Sequence, residues 1–137
     1  MERVFVDTNI ILDWLSQREP FFIYAKQLFL KGENKEVKVL ISTMSFISTE
    51  YILRKQIGKE KAKQALAAIR TISEVCTSGE KEIDLSLVSS FKDFEVAFQY
   101  FSAINNSAKV IITRNPKDFT KSKIPVMSAE EYLKSIK

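Results

Sequence analysis

Lys109-Val110-Ile111-Ile112-Thr113-Arg114-Asn115 is the stretch on which the fold turns. Val110-Ile111-Ile112 is continuous and apolar, the pattern of a strand covered on both faces rather than one. The residues after it are polar and lead into Pro116, so the strand ends there. A strand buried on both sides belongs to a mostly parallel sheet with helices above and below.

Working outward, the flanking segments agree. Val4-Phe5-Val6 is a short run of β-formers ending at Asp7. Thr8 is placed to cap a helix that carries Ile10, Ile11, Trp14 and Leu15 at helical spacing. Pro20 suits the first turn of the next helix, whose buried face is Phe21, Ala25, Leu28 and Phe29, and Gly32 is expected to stop it. Val37 to Ser42 reads as a second strand and Met44 to Gln56 as a helix, broken by Gly58. Lys59 to Ile72 is rich in Ala and Lys and reads as another helix. Glu74-Val75-Cys76 is a brief third strand, and Asp84 is expected to cap a short helix with Leu85, Leu87 and Val88. A longer helix from about Phe91 to Asn105 precedes the buried strand. Pro125-Val126-Met127 is the last strand, and Ser128 caps a terminal helix with Glu130 and Glu131 in its first turn. Alternating strands and helices over 137 residues, without a linker or repeat, predict one domain spanning 1–137. The expected architecture is a three-layer α/β/α sandwich around a mostly parallel sheet. A domain of this size buries roughly two-thirds of the surface its unfolded chain exposes.

Composition narrows the chemistry. Histidine is absent, which excludes a Ser-His-Asp or Cys-His centre, a histidine-ligated metal and cleavage of RNA by paired histidines. Cys76 is the sole cysteine, so neither an internal disulfide nor a cysteine-based zinc site is available. That usage suits a reducing, cytoplasmic setting. No apolar run approaches the roughly 18 residues of a membrane span. Asp7 interrupts the apolar start too early for a signal peptide, so the chain is expected to enter its first strand at once. The net charge of +4 favours a polyanionic partner only slightly. Hydrolysis by this chain would rest on carboxylates, with a hard divalent ion such as Mg²⁺ or Mn²⁺.

Open parallel sheets place ligands beyond the carboxyl ends of their strands. Asp7 stands at such an end, followed by Thr8 and Asn9, either as a ligand-binding acid or as an Asx turn or cap. Asp13, two turns along the same helix, reads as a solvated surface residue. Glu50 lies among Phe46, Ile47, Tyr51 and Ile52, where a carboxylate needs a compensating cation unless its face is exposed. Asp93 and Glu95 sit near a helix start, where acids favourably face the dipole. Asp93 and Val96 share a face, and Glu95 lies roughly opposite Asp93. The loop Thr113-Arg114-Asn115-Pro116-Lys117-Asp118-Phe119 offers a cation, an amide and an acid at another strand end.

Taken in order, these segments resemble the PIN domain, and within it the small VapC-type toxin ribonucleases. The similarity is carried by Val4 to Asp13, by Arg18-Glu19-Pro20-Phe21, by Ile41 to Glu50, by Asp93-Phe94-Glu95-Val96-Ala97, and by Ile111 to Asn115 with Lys117-Asp118-Phe119. The resemblance implies a divalent-metal-dependent ribonuclease that hydrolyses RNA phosphodiesters. It implies Asp7 and Glu50 as first and second metal-binding acids, with Thr8, Asn9, Asn115 and Asp118 in support and Arg114 and Lys117 on RNA. The third acid of the family's pattern falls on Val96, and Asp93, one turn earlier, is the expected substitute. The resemblance further implies a homodimer and an antitoxin protein as partner. The alternative is a degenerate PIN module that binds RNA or protein without cleaving. A phosphotransfer enzyme of another doubly wound fold is disfavoured, because no second acid follows two residues after Asp7.

Overall fold

The computed structural model describes residues 1–136. Five parallel strands form one sheet in the order β3-β2-β1-β4-β5: β1 Glu2–Val6, β2 Val37–Ser42, β3 Ser73–Cys76, β4 Val110–Ile112 and β5 Val126–Met127. The helices are α1 Thr8–Leu15, α2 Phe22–Glu33, α3 Thr43–Ile57, α4 Lys59–Thr71, α5 Glu80–Val88, α6 Phe94–Asn105 and α7 Ala129–Ser135, with a 3-10 turn at Pro116–Phe119.

Strand alternation builds two separate cores. Val4, Val6, Val39, Ile41, Val110 and Ile112 face one side, where they pack with Ile10, Leu28, Phe29, Ile69 and Tyr132. Phe5, Leu40 and Ile111 face the other and meet Tyr100, Ala103 and Phe119. Both faces are therefore dry, as the apolar run at Val110–Ile112 requires, and the three-layer α/β/α sandwich is the observed fold. Gly32 permits the close approach of α2 to the sheet. A Cβ there would stand 2.8 Å from Val39 Cγ2, nearer than packed atoms allow. It lies inside α2 rather than stopping it; the helix continues to Glu33.

Helix starts depart most from the sequence reading; a side chain hydrogen-bonds at the cap of α1, α5 and α6, and none does at α2. Asp7, not Thr8, caps α1: its Oδ1 accepts the Thr8 N–H at 2.7 Å. Helix α2 begins at Phe22, leaving Pro20 before it. Helix α5 starts four residues earlier than Asp84, and Glu82 Oε1 accepts the Gly79 N–H at 2.6 Å. Helix α6 begins at Phe94 because Asp93 Oδ1 accepts the Val96 N–H at 3.0 Å, which holds Asp93 as the cap. No helix among the described residues is long and apolar enough to cross a membrane.

Candidate active site

The strand order reverses direction between β1 and β4, which leave from the middle of the sheet toward opposite edges. Helices therefore diverge at that point and open a crevice at the carboxyl ends of the two strands. Asp7 follows β1 there and Thr113 follows β4. A cleft of about 390 Å³ opens above them, lined by Asp7, Thr8, Asn9, Leu12, Arg18, Ile52, Asp93, Glu95, Val96, Gln99, Asn115, Asp118 and Phe119.

Asp7 is the most constrained acid. Oδ2 accepts from the Thr113 hydroxyl at 2.8 Å, and Oδ1 accepts from the Thr8 N–H at 2.7 Å and the Gln99 amide at 3.5 Å. Gln99 also donates to Ser45 Oγ at 2.9 Å, and Ser45 shares a 2.7 Å hydrogen bond with Thr8 Oγ1. Burial raises the Asp7 pKa; the hydrogen bonds from Thr113, Thr8 and Gln99 pull it back, and the nearby Asp118 charge raises it further. Asn115 donates its backbone N–H to Thr113 Oγ1 at 3.1 Å, and Asn9 Oδ1 accepts the Arg114 N–H at 3.4 Å. A short polar lattice thus joins the two strand ends.

Of the residues expected at the site, Asp7, Thr8, Asn9, Asp93, Asn115 and Asp118 share the cleft. Glu50 is not brought there. Helix α3 reaches the cleft through Ile52, and Glu50 stands two residues away, about 200° around the helix. Its carboxylate lies 3.6 Å from Arg54 Nε instead. Val96 does line the cleft, so the gap in the acid pattern faces the site itself. Arg114 is committed elsewhere. Its Nε is 2.9 Å from Asp13 Oδ2, and its guanidinium lies 4.3 Å over the Phe21 ring. Asp13 has 0 % exposure, which corrects its reading as a surface acid. Burial raises its pKa, while Arg114 and then Arg18 oppose the shift. Lys117 is exposed and outside the cleft lining.

The sequence reading passed over Gln99 and gave Arg18 no role of its own. Gln99 carried a usable signal, being an amide inside the apolar run Val96-Ala97-Phe98-Tyr100-Phe101. Arg18 carried only its place in the segment Arg18-Glu19-Pro20-Phe21. The cleft side chains able to ligate a metal, Asp7, Asp93, Glu95, Asn115 and Asp118, offer oxygen and no sulfur or imidazole, which suits a hard cation over a soft one. Among the described residues, no three His, Cys, Asp or Glu side chains gather closely enough to hold a metal ion.

These features define an open, all-parallel α/β protein with an acid-lined cleft at its topological switch point. The chain belongs to the PIN-domain family, whose model matches residues 3–117. It is similar to ribonuclease VapC1 of Aquifex aeolicus (strain VF5), at 28 % identity with 96 % of this chain and 93 % of that protein covered. The fold is shared with VapBC2 of Rickettsia felis bound to a promoter DNA fragment, with TM-score 0.65 and 16 % identity over 92 % of this chain and 97 % of that one. It is also shared with PAE2754 of Pyrobaculum aerophilum, with TM-score 0.66 and 14 % identity over 97 % of this chain and 88 % of that one.

Proposed function

We propose that the protein is a ribonuclease of the VapC toxin type that hydrolyses RNA phosphodiesters in the Asp7 cleft. The observation that carries this reading is Asp7 itself. It is a deep carboxylate at the switch point, fixed by Thr113, Thr8 and Gln99 and facing open space. The VapC1 similarity over nearly the whole chain supports the substrate class.

A divalent ion fits the donor set only in a sparse form. Mg²⁺ is commonly held by one or two carboxylates, with waters and substrate phosphates completing its shell. Asp7 and Asp118 would supply those carboxylates, with Asp93 across the cleft and Asn115 beside them. Glu50 is left out of this set. When bound, the ion would lower the pKa of a water and polarise the scissile phosphate. The chain's own residues do the rest. Thr113 and Gln99 hold the Asp7 carboxylate in one orientation, Asn115 adds an amide to the cleft lining, and Leu12, Ile52 and Val96 add apolar surface to it. We further propose that an antitoxin protein covers this cleft, as the VapBC neighbours suggest, and that the chain works as a homodimer in the cytoplasm.

The second reading is a PIN module that binds RNA or protein without cleaving it. Val96 in the cleft, Glu50 outside its lining and the lack of a metal-holding cluster of three acids among the described residues favour it. One assay separates the two. Wild type, Asp93→Ala and Val96→Asp are compared on single-stranded RNA with Mg²⁺ or Mn²⁺ and with EDTA. The ribonuclease reading expects a metal-dependent wild type, weakened by Asp93→Ala and at least matched by Val96→Asp. An inactive wild type beside an active Val96→Asp would establish the degenerate module instead.

A further inference from the structure

We propose, building on the ribonuclease reading, that Arg18 is the residue that grips the RNA backbone at the Asp7 cleft, and that the Asp13–Arg114 pair positions it. Among the described residues, Arg18 is the one Lys or Arg that lines the cleft. The other lining charges are the carboxylates of Asp7, Asp93, Glu95 and Asp118. A polyanion entering such a cleft meets repulsion unless a cation stands inside it. Arg114 and Lys117, the cations nearest in sequence to the strand end, do not answer that need: one is held against Asp13 and Phe21, the other lies outside.

Arg18 has both the freedom and the support for the task. Among the described residues its guanidinium makes no ion pair or side-chain hydrogen bond. Its backbone is fixed on both sides: its N–H donates to the Asp13 carbonyl at 3.0 Å, and its own carbonyl accepts the Phe22 N–H at 2.7 Å. The buried Asp13 carboxylate is matched by Arg114, whose guanidinium stacks on Phe21 just beyond Arg18. Arg18 acts on the Asp13 charge only through space and less than Arg114 does, so its hydrogen-bond donors are left to the cleft. A guanidinium offers two parallel N–H donors to two oxygens of one phosphate, a geometry an ammonium lacks. Arg18 would thus select for a phosphodiester and orient it over Asp7.

The test pairs binding with turnover, so that the two readings fail separately. Binding of a fluorescein-labelled single-stranded RNA is followed by anisotropy in EDTA across a salt series, and cleavage in Mn²⁺ gives kcat and KM. Arg18→Ala is expected to weaken binding about tenfold, or about 1.4 kcal/mol. It should raise KM by a similar factor and reduce the log–log salt slope by about 0.7, the loss of one phosphate contact. Arg18→Lys should restore the slope and part of the affinity, because it keeps the charge and loses the fork. Lys109→Ala, at the amino end of β4 and away from the cleft, should change neither quantity. If Arg18→Ala lowers the thermal midpoint, Arg18→Gln serves as the neutral variant. An Arg18→Ala protein with wild-type affinity and slope, beside a wild type that cleaves RNA, would overturn the Arg18 assignment alone. A wild type that neither binds nor cleaves RNA at low salt would overturn both readings.

Discussion

Thr113 Oγ1 donates a 2.8 Å hydrogen bond to Asp7 Oδ2, joining the ends of two adjacent parallel strands. The same hydroxyl accepts the Asn115 N–H at 3.1 Å. One buried group therefore orients the central acid and the loop that carries Asn115 and Asp118. Thr113→Val keeps the shape and removes both bonds. It should cost about 1–2 kcal/mol of stability, since each buried bond nets about 1 kcal/mol. On RNA it should lower kcat more than it changes KM. Denaturant melts and steady-state kinetics on the same preparation check this; an unchanged kcat would mean that Asp7 needs no such orientation.

The raised pKa of Asp7 gives a signed pH dependence. In metal-free buffer the folded chain holds the Asp7 proton to higher pH than the unfolded chain does. Between the two pKa values the native state binds more protons, so stability falls as pH rises through that interval. The contribution is fully present below the ordinary carboxylate pKa and is lost above the folded one. Asp7→Asn should therefore melt a few degrees higher than wild type at pH 7 with EDTA, and the gap should close toward pH 3. Millimolar Mn²⁺ should raise the wild-type midpoint and leave Asp7→Asn unmoved. Melts in EDTA and Mn²⁺ from pH 3 to 8 provide the measurement.

The Asp13–Arg114 pair has a different signature. Asp13 is fully buried, so removing its ion-pair partner leaves a charge opposed only by Arg18, which makes no ion pair with it. Arg114→Ala should cost about 3 kcal/mol at neutral pH. The loss should shrink in acid, where Asp13 protonates and the uncompensated charge disappears. The double variant Asp13→Leu/Arg114→Met should recover most of the stability, because an apolar pair of similar bulk needs no charge balance. Single and double variants compared by urea unfolding at pH 7 and pH 4 would show it.

Glu50 and Asp118 should separate in activity. Glu50 pairs with Arg54 outside the cleft, whereas Asp118 lines it and acts on the Asp7 charge. Glu50→Gln should keep RNA cleavage within about threefold of wild type, a difference under 1 kcal/mol. Asp118→Asn should lose at least about tenfold. The reverse ranking would place Glu50 in the working site.

Much of this arrangement was legible in the sequence, and the misses share a cause. Apolar runs and turn residues are local signals, so the strands at Val4–Val6, Val37–Ser42 and Val110–Ile112 and the helices between them were readable. Helix starts were less so, because the cap depends on which side chain wins the first free N–H groups. Asp7 caps α1 where the pattern pointed to Thr8, and Asp93 sets the start of α6 at Phe94 instead of about Phe91. The burial of Asp13 was invisible, since its partner Arg114 lies far along the chain and only the fold brings them together. Glu50 shows the same limit: its helix was clear, but the helix phase against the sheet was not, and a step of two residues turns a side chain away from the cleft. Arg18 gained its meaning only once Arg114 was seen to be occupied.

The most direct test of the account is cleavage of single-stranded RNA by purified wild type and Asp7→Asn in Mn²⁺, with EDTA as control and both proteins shown to be folded by circular dichroism. Asn fills the same space and keeps an acceptor for the Thr8 N–H, but it removes the negative charge at the centre of the cleft. The account predicts metal-dependent cleavage by wild type and a loss of at least about a hundredfold, near 2.7 kcal/mol of transition-state stabilisation, in Asp7→Asn. Equal cleavage by the two proteins would contradict it.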